Sequence, residues 1–283
     1  MALATPSPTA LNRATRRWSL TRPSLIAETP TSLIYKVERA DRSQAALKLL
    51  KEGVGADERR GGELLRWYAG YGAAGVFDVA DDAVLMQLLV GETLGDLARA
   101  GHDASATDIL CDVVERLHAP RPGYPPELQR LRERFEALFR TRTSAWPHYA
   151  LDLLARATGI AYVLFDKWAP QLPLHGDVHH DNILRSGDGW LAIDPKGLVG
   201  DGAYDYANSF QNPVGGDAFV LKAPRIARHA AAIAERTGIP RKHLLAWAVA
   251  HTALSAAWHI EDGNPITHQV TMLPLLLAAY DAA

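Results

Sequence analysis

Apolar and polar positions along the chain fall into two regimes. Up to about residue 90, short apolar runs are separated by turn residues, a pattern that predicts strands. Ser24–Ala27 is short and apolar, Leu33–Val37 is β-branched and alternating, and Ala45–Leu50 is apolar around a single lysine, Lys48. Val76–Val79 and Ala83–Leu89 complete a set of five strands. One helix, over about residues 57 to 70, takes its apolar face from Leu64, Leu65 and Tyr68. Residues 1 to about 17 read as a polar or helical lead-in.

Beyond Leu94 the period becomes helical. Helices are expected over Thr93–Ala100, Ala106–Leu117, Glu127–Phe139 and His148–Trp168, then over about 217 to 237, 240 to 260 and from Ile266 onward, with Gly238-Ile-Pro240 as a stop and restart. The expected fold is α+β and bilobal. Residues 1–90 form a small strand-rich lobe with one helix, and residues 91–283 form a larger helical lobe. Ligands favour clefts of the kind such a seam creates.

Between the helical runs lies a polar stretch, Leu174 to Lys196. Asp177 and Asn182 have the Asp-x-x-x-x-Asn spacing of a phosphoryl-transferring catalytic loop, and Asp194 follows a short apolar hairpin. Phosphoryl transfer needs an oriented nucleophile, metal ions and a cation on the phosphates. Asp177 is the expected partner of an attacking hydroxyl. Asn182 and Asp194 offer the hard oxygens that suit Mg2+. Lys48 is the expected cation, and Glu63, on the following helix, its ion-pair partner, with Glu58 and Glu52 as nearby competitors. A rival reading takes His175, Asp177, His179, His180 and Asp181 as a metallohydrolase loop. The order of these residues is unlike the His-x-His-x-Asp-His common in such enzymes.

Composition narrows the picture. The 283-residue chain has a formal net charge of −2 at pH 7, which does not suggest nucleic-acid or anionic-membrane binding. The one cysteine, Cys111, sits in an apolar helical pattern and fits a reducing, cytoplasmic setting. No apolar run approaches the length of a membrane span. Arg16-Arg17 is followed by Trp-Ser-Leu-Thr-Arg-Pro, which is not the apolar region of an export signal.

The run His-Gly-Asp-Val-His-His-Asp-Asn-Ile-Leu, then Ile-Asp-Pro-Lys-Gly-Leu-Val-Gly-Asp and Ala-Tyr-Asp-Tyr-Ala-Asn, resembles the aminoglycoside phosphotransferase superfamily. It is most similar to the aminoglycoside 6-phosphotransferase branch, which includes streptomycin 6-kinases and hydroxyurea phosphotransferases. That resemblance implies a protein-kinase-like fold and an ATP-dependent kinase of a small-molecule hydroxyl, most similar to enzymes acting on the streptomycin 6-hydroxyl. It matches Asp177 to the catalytic aspartate, Asn182 and Asp194 to the Mg2+ ligands, and Lys48 and Glu63 to the phosphate-anchoring pair. It places adenine against Gln87, Leu88 and Leu89 and matches Asp205, with His175, to support of the catalytic loop.

The chain departs from the protein-kinase pattern. No Gly-x-Gly-x-x-Gly is present, and the equivalent turn, Thr29-Pro-Thr31-Ser32, is expected to offer amides and hydroxyls to the phosphates. Gly176 stands where protein kinases carry arginine, and Pro195-Lys196 replaces Phe-Gly. These differences favour a small-molecule acceptor. For a cationic aminoglycoside the expected contacts are Asp201, Glu261 and Asp262, with Trp258 stacking on a guanidinium.

Overall fold

The computed structural model describes residues 8–53 and 56–283. Its N-terminal part runs α1 (Pro8–Arg17), β1 (Thr21–Glu28), β2 (Ser32–Glu38), β3 (Gln44–Leu50), α2 (Ala56–Tyr68), β4 (Val76–Ala80) and β5 (Ala83–Gln87). The five strands form one antiparallel sheet in the order β1-β2-β3-β5-β4. β3 is nearly continuous in apolar residues because both its faces are covered. Ala45, Leu47 and Leu49 pack beneath α1 with Ala14, Leu20 and Leu85. Ala46 and Lys48, alternate in the pleat, turn to the other face, where α2 and a cleft lie. The lead-in helix is thus part of the fold, and Trp18 Nε1 ties its end to Asp78 Oδ2 at 2.7 Å. Residues 1–7 of that lead-in lie outside the described residues.

The C-terminal part continues with α3 (Leu94–Leu97), α4 (Asp103–His118), β6 (Gln129–Arg130), α5 (Leu131–Arg134), α6 (Glu136–Phe139), α7 (Leu151–Asp166), β7 (Gln171–Leu174), the hairpin β8 (Ile183–Ser186) and β9 (Gly189–Ala192), and β10 (Leu198–Asp201). After a 3₁₀ segment, Gly202–Gln211, come α8 (Asp217–Val220), α9 (Ala223–Thr237), α10 (Arg241–Glu261) and α11 (Thr267–Asp281). Residues Leu244 to Leu254 of α10 are all buried, and Trp247 packs edge-on against Phe135, Phe165 and Tyr204 with ring centres 5.4–5.9 Å apart. Among the described residues no helix is long and apolar enough to cross a membrane.

Two helices expected from the pattern are broken. Residues 129 and 130 are drawn into β6, which pairs with β10 through Leu198 opposite Gln129. Only short helical turns, α5 and α6, remain of that run. The helix expected over 217 to 237 splits at Leu221-Lys222, because Pro224 takes a first-turn position and begins α9. The strand expected to reach Leu89 ends at Gln87.

The seam near residue 90 does not divide the core. Leu64, Tyr68 and Met86 share one apolar cluster with Leu110, Ile183 and Trp247. The β8–β9 hairpin is also bonded directly to the sheet-bearing part. Ala74 N donates to Ala192 O at 2.9 Å, Ala192 N donates to Gly72 O at 2.8 Å, and Gln87 Nε2 reaches Ser186 Oγ at 3.1 Å.

Candidate active site

Asp205 holds the stretch that leads into Asp177 in place. It is buried, and its carboxylate accepts from the backbone of Gly176 at 2.7 Å and of His175 at 3.1 Å, with His118 Nε2 at 2.8 Å. Gly176 has φ +80°, and a Cβ there would lie 2.6 Å from Leu198 Cδ1, so no arginine fits this position. His175 is fully buried. Burial holds its imidazole below the ordinary histidine range against the pull of Asp205 and Asp177. The neutral ring donates from Nε2 to Ile193 O at 2.9 Å and accepts the Asp177 N–H on Nδ1 at 3.3 Å.

Asp177 is half-buried, with each carboxylate oxygen in a distinct setting. Oδ1 accepts from Asn208 Nδ2 at 2.8 Å. Oδ2 has Asn182 Nδ2 at 3.4 Å and the Lys196 ammonium at 3.9 Å. Asn208 is itself fixed, because its side-chain oxygen accepts from Gln211 Nε2 and Asn212 Nδ2, each at 3.0 Å. Asn182 also donates to the Asp177 carbonyl at 3.1 Å, which commits its nitrogen to the loop. Asp194 has φ +64°, a left-handed conformation that Asp tolerates better than most L residues and that is enriched at functional sites. Its Oδ1 pairs with Lys48, and its Oδ2 lies 3.2 Å from Lys196 Nζ. Burial alone would raise the Asp194 carboxyl, but the two ammonium groups outweigh it and hold the carboxyl far below the usual carboxylate range.

Lys48 lies on the buried face of β3, and its partner is Glu58 at 2.5 Å, not Glu63. Helical geometry explains the correction. Glu58 and Leu65 are two turns apart and share the face of α2 that looks into the cleft, whereas Glu63 is two positions before Leu65 and points away. Glu58 is 7% exposed. The Glu63 side chain is 39% exposed and pairs with Arg66 at 3.4 Å.

Above Lys48 a cavity of about 270 Å³ lies between the sheet and the β8–β9 hairpin. It is lined by Ile34, Ala46, Val84, Met86, Leu88, Leu89 and Leu184, with Lys48, Glu58, Asn182 and Asp194 at its polar end. Gln87 borders it, but its N–H donates to Gly75 O at 2.7 Å and its side chain spans to Gly75 and Ser186. That amide is therefore unavailable to a base, which leaves Leu88 and Leu89 in the place expected for adenine. The expected phosphate-covering turn is closed on itself. Thr29 Oγ1 accepts from the amides of Thr31 at 3.3 Å and Ser32 at 2.9 Å, and Thr31 Oγ1 donates to Glu58 Oε1 at 3.1 Å. In this arrangement those groups serve the turn and Glu58.

The acceptor contacts expected from sequence are largely committed elsewhere. The Asp201 carboxylate is taken by His243 Nε2 at 2.6 Å, Trp247 Nε1 at 3.0 Å and the Ala203 N–H at 3.0 Å, so it caps the 3₁₀ segment. Asp181, close to Asp177 in sequence, is likewise engaged, by Arg99 at 2.9 Å and the Val214 N–H at 3.0 Å. Trp258 already carries the Arg134 guanidinium 4.7 Å above its ring. Glu261 and Asp262 are exposed at the end of α10. The histidines of the rival metallohydrolase reading diverge: His175 bonds Ile193, His179 accepts the Asp181 N–H, and His180 is buried. Among the described residues no group of three or more His, Cys, Asp or Glu side chains is arranged to hold a metal ion. Cys111 is buried, and burial pushes its thiol up to about 12, which makes it inert at neutral pH.

Residues 17–263 match the family model of the aminoglycoside/hydroxyurea antibiotic resistance kinases. The chain belongs to this family. Among relatives of this kinase, streptomycin 3''-kinase of Klebsiella pneumoniae is 42% identical over 254 residues, which is 87% of this chain and 91% of that one. Streptomycin 6-kinase of Streptomyces griseus is 28% identical over 263 residues, 90% of this chain and 84% of that one. The crystal structure of the aminoglycoside phosphotransferase APH(4)-Ia in complex with ADP and hygromycin B superposes with a TM-score of 0.68 at 14% identity, covering 96% of this chain and 98% of that one. The kinase thus has the protein-kinase-like fold of the aminoglycoside phosphotransferases, and family membership makes it a phosphotransferase.

Glu58, a competitor of Glu63 on sequence, is the residue that helical phase selects. Asn208 and Lys196 are the two site residues without an expected role, because what they do depends on side chains meeting Asp177 in space, which spacing does not reveal.

Proposed function

We propose that this kinase transfers the terminal phosphoryl group of ATP to a hydroxyl of a streptomycin-type aminoglycoside. The observation that carries this reading is the convergence of Asp177, Asn182 and Asp194 with the Lys48–Glu58 pair at the polar end of the interlobe cavity. The acceptor hydroxyl hydrogen-bonds to Asp177 Oδ2, the oxygen not engaged by Asn208, and the carboxylate aligns it and takes its proton as the new P–O bond forms. Lys48, held by Glu58, binds the phosphates that stay with ADP. Leu88, Leu89 and Met86 flank the base.

The polar end of the cavity suits Mg2+ by its donor chemistry. The Asn182 nitrogen is turned into the loop, which leaves its oxygen as the donor, and Asp194 adds a carboxylate kept ionised by two lysines. When bound, the metal supplies neutralising charge to the phosphates.

The expected 6-hydroxyl carries less support than the 3''-hydroxyl. The relative named for the 3'' position is 42% identical, whereas relatives named for the 6 position are 28% and 27% identical. We therefore favour the 3'' position. Glu261 and Asp262 remain the exposed acids available to a cationic acceptor, in preference to Asp201. The test is to incubate the enzyme with ATP, Mg2+ and streptomycin and to locate the phosphate by phosphorus–proton NMR. Coupling to the 3'' proton is expected. Coupling to the 6 proton would favour the 6-hydroxyl instead, and phosphorylation of a simple sugar or amino alcohol with none of streptomycin would overturn the substrate class.

A further inference from the structure

The site holds a second lysine, Lys196, beside the three carboxylates. Lys196 Nζ lies 3.2 Å from Asp194 Oδ2, 3.5 Å from Glu58 Oε1 and 3.9 Å from Asp177 Oδ2, and its side chain is 17% exposed. Its backbone is fixed on both sides. Lys196 N donates to His175 O at 2.7 Å, and the preceding Pro195 carbonyl packs so closely on α2 that a Cβ at Gly61 would lie 2.1 Å from it. The ammonium is therefore carried on the same frame as the catalytic-loop backbone.

The two lysines divide the Asp194 carboxylate. Lys48 takes Oδ1 from the cavity side, and Lys196 takes Oδ2 from the side of Asp177. Glu58 and Asp194 already have a cation in Lys48. Asp177 has otherwise only the neutral amides of Asn208 and Asn182 beside it, so Lys196 balances the third carboxylate of the cluster. Its position does more than that. A phosphoryl group passing from a nucleotide at Lys48 and Asp194 to a hydroxyl at Asp177 crosses the gap that Lys196 spans.

We propose that Lys196 is a catalytic residue that binds the transferring phosphoryl group itself, a role that rests on the kinase reading above. As the bond from the terminal phosphorus to the bridging oxygen of ADP breaks, and the bond to the acceptor oxygen forms, the hydroxyl proton passes to Asp177. Lys196 neutralises the equatorial phosphoryl oxygens throughout, remaining protonated. Lys48 serves the phosphates that remain on ADP.

The test compares affinities for Mg-ADP and for the non-hydrolysable triphosphate analogue AMP-PNP with Mg2+, by calorimetry, in wild type, Lys196→Met, Lys196→Arg and Lys48→Met. Lys196→Met is expected to weaken the triphosphate analogue roughly tenfold or more while leaving ADP within about twofold, and to lower kcat about 10²-fold or more. Lys196→Arg keeps the charge and is expected to recover most of the triphosphate preference. Lys48→Met is expected to weaken both nucleotides. Equal weakening of ADP and the triphosphate analogue by Lys196→Met would mean that the residue only positions Glu58, and would overturn the proposal. So would an unchanged triphosphate preference in that variant. A wild-type protein that bound neither nucleotide would instead remove the kinase reading beneath it.

Discussion

The Lys48–Glu58 pair is set by the phase of α2, which turns Glu58 into the cleft and leaves Glu63 on the exposed side with Arg66. Glu58→Gln is accordingly expected to lower kcat/KM by about 10- to 100-fold, because Lys48 loses a buried charged partner. Glu63→Gln, on the exposed side, is expected to change it less than about twofold. Steady-state kinetics on the two variants check this, and a larger effect at Glu63 would contradict the pairing. Asp177, Asn182 and Asp194 are legible because they share one short stretch, where spacing along the chain stands in for position in space, whereas distance from Lys48 in sequence points to Glu63 and misses the helical phase that selects Glu58. Asn208 reaches Asp177 from a later segment that spacing does not place, and Lys196, although it lies in the stretch and departs from Phe-Gly, carries no spacing that ties it to Asp177.

At the scale of elements, the five strands and the long helices followed from period and turn residues. Failures came where a segment's partner overrode its own pattern, as when β10 draws residues 129 and 130 into a strand. α2 carries another such conflict. Gly61 lies inside the helix, where glycine is about 1 kcal/mol less favourable than alanine, yet a Cβ there would lie 2.1 Å from the Pro195 carbonyl. Gly159 lies inside α7, where a Cβ would meet nothing within 4 Å. Gly159→Ala is therefore expected to stabilise the protein by roughly 0.5–1 kcal/mol. Gly61→Ala is expected to destabilise it and to weaken nucleotide binding by pushing α2, with Glu58, off the Asp194–Lys196 segment. Chemical denaturation and nucleotide titration of the two variants test the contrast, and equal stabilisation by both would contradict the close packing.

At the scale of the molecule, the bilobal outline was expected, but the continuity of the core across the seam was not, since periodicity reports faces and not which faces meet. The core also encloses neutral histidines. Burial holds His175, His180, His229 and His251 below the ordinary range, with His251 pushed down to about 4 from 6.5. Between those two values the unfolded chain binds a proton that the folded chain refuses. The stabilisation is full above pH 6.5 and is lost as pH falls toward 4. At pH 5, His251 alone accounts for a loss on the order of 2 kcal/mol relative to neutral pH. Asp194, whose carboxyl is depressed, adds a further loss below 3.8. Urea midpoints measured from pH 7.5 to 4.5 should fall steadily below 6.5, and His251→Gln should flatten part of that slope. A midpoint constant to pH 5 would contradict the burial of neutral imidazoles.

Phosphoryl transfer through Asp177 is tested most directly by streptomycin-stimulated ADP release in wild type and in Asp177→Asn, which keeps the side-chain shape and removes the proton acceptor. Wild type should release ADP at a rate that streptomycin raises. Asp177→Asn should lose about 10²-fold or more of that rate while still binding ADP. An Asp177→Asn protein that released ADP at the wild-type, acceptor-stimulated rate would contradict it.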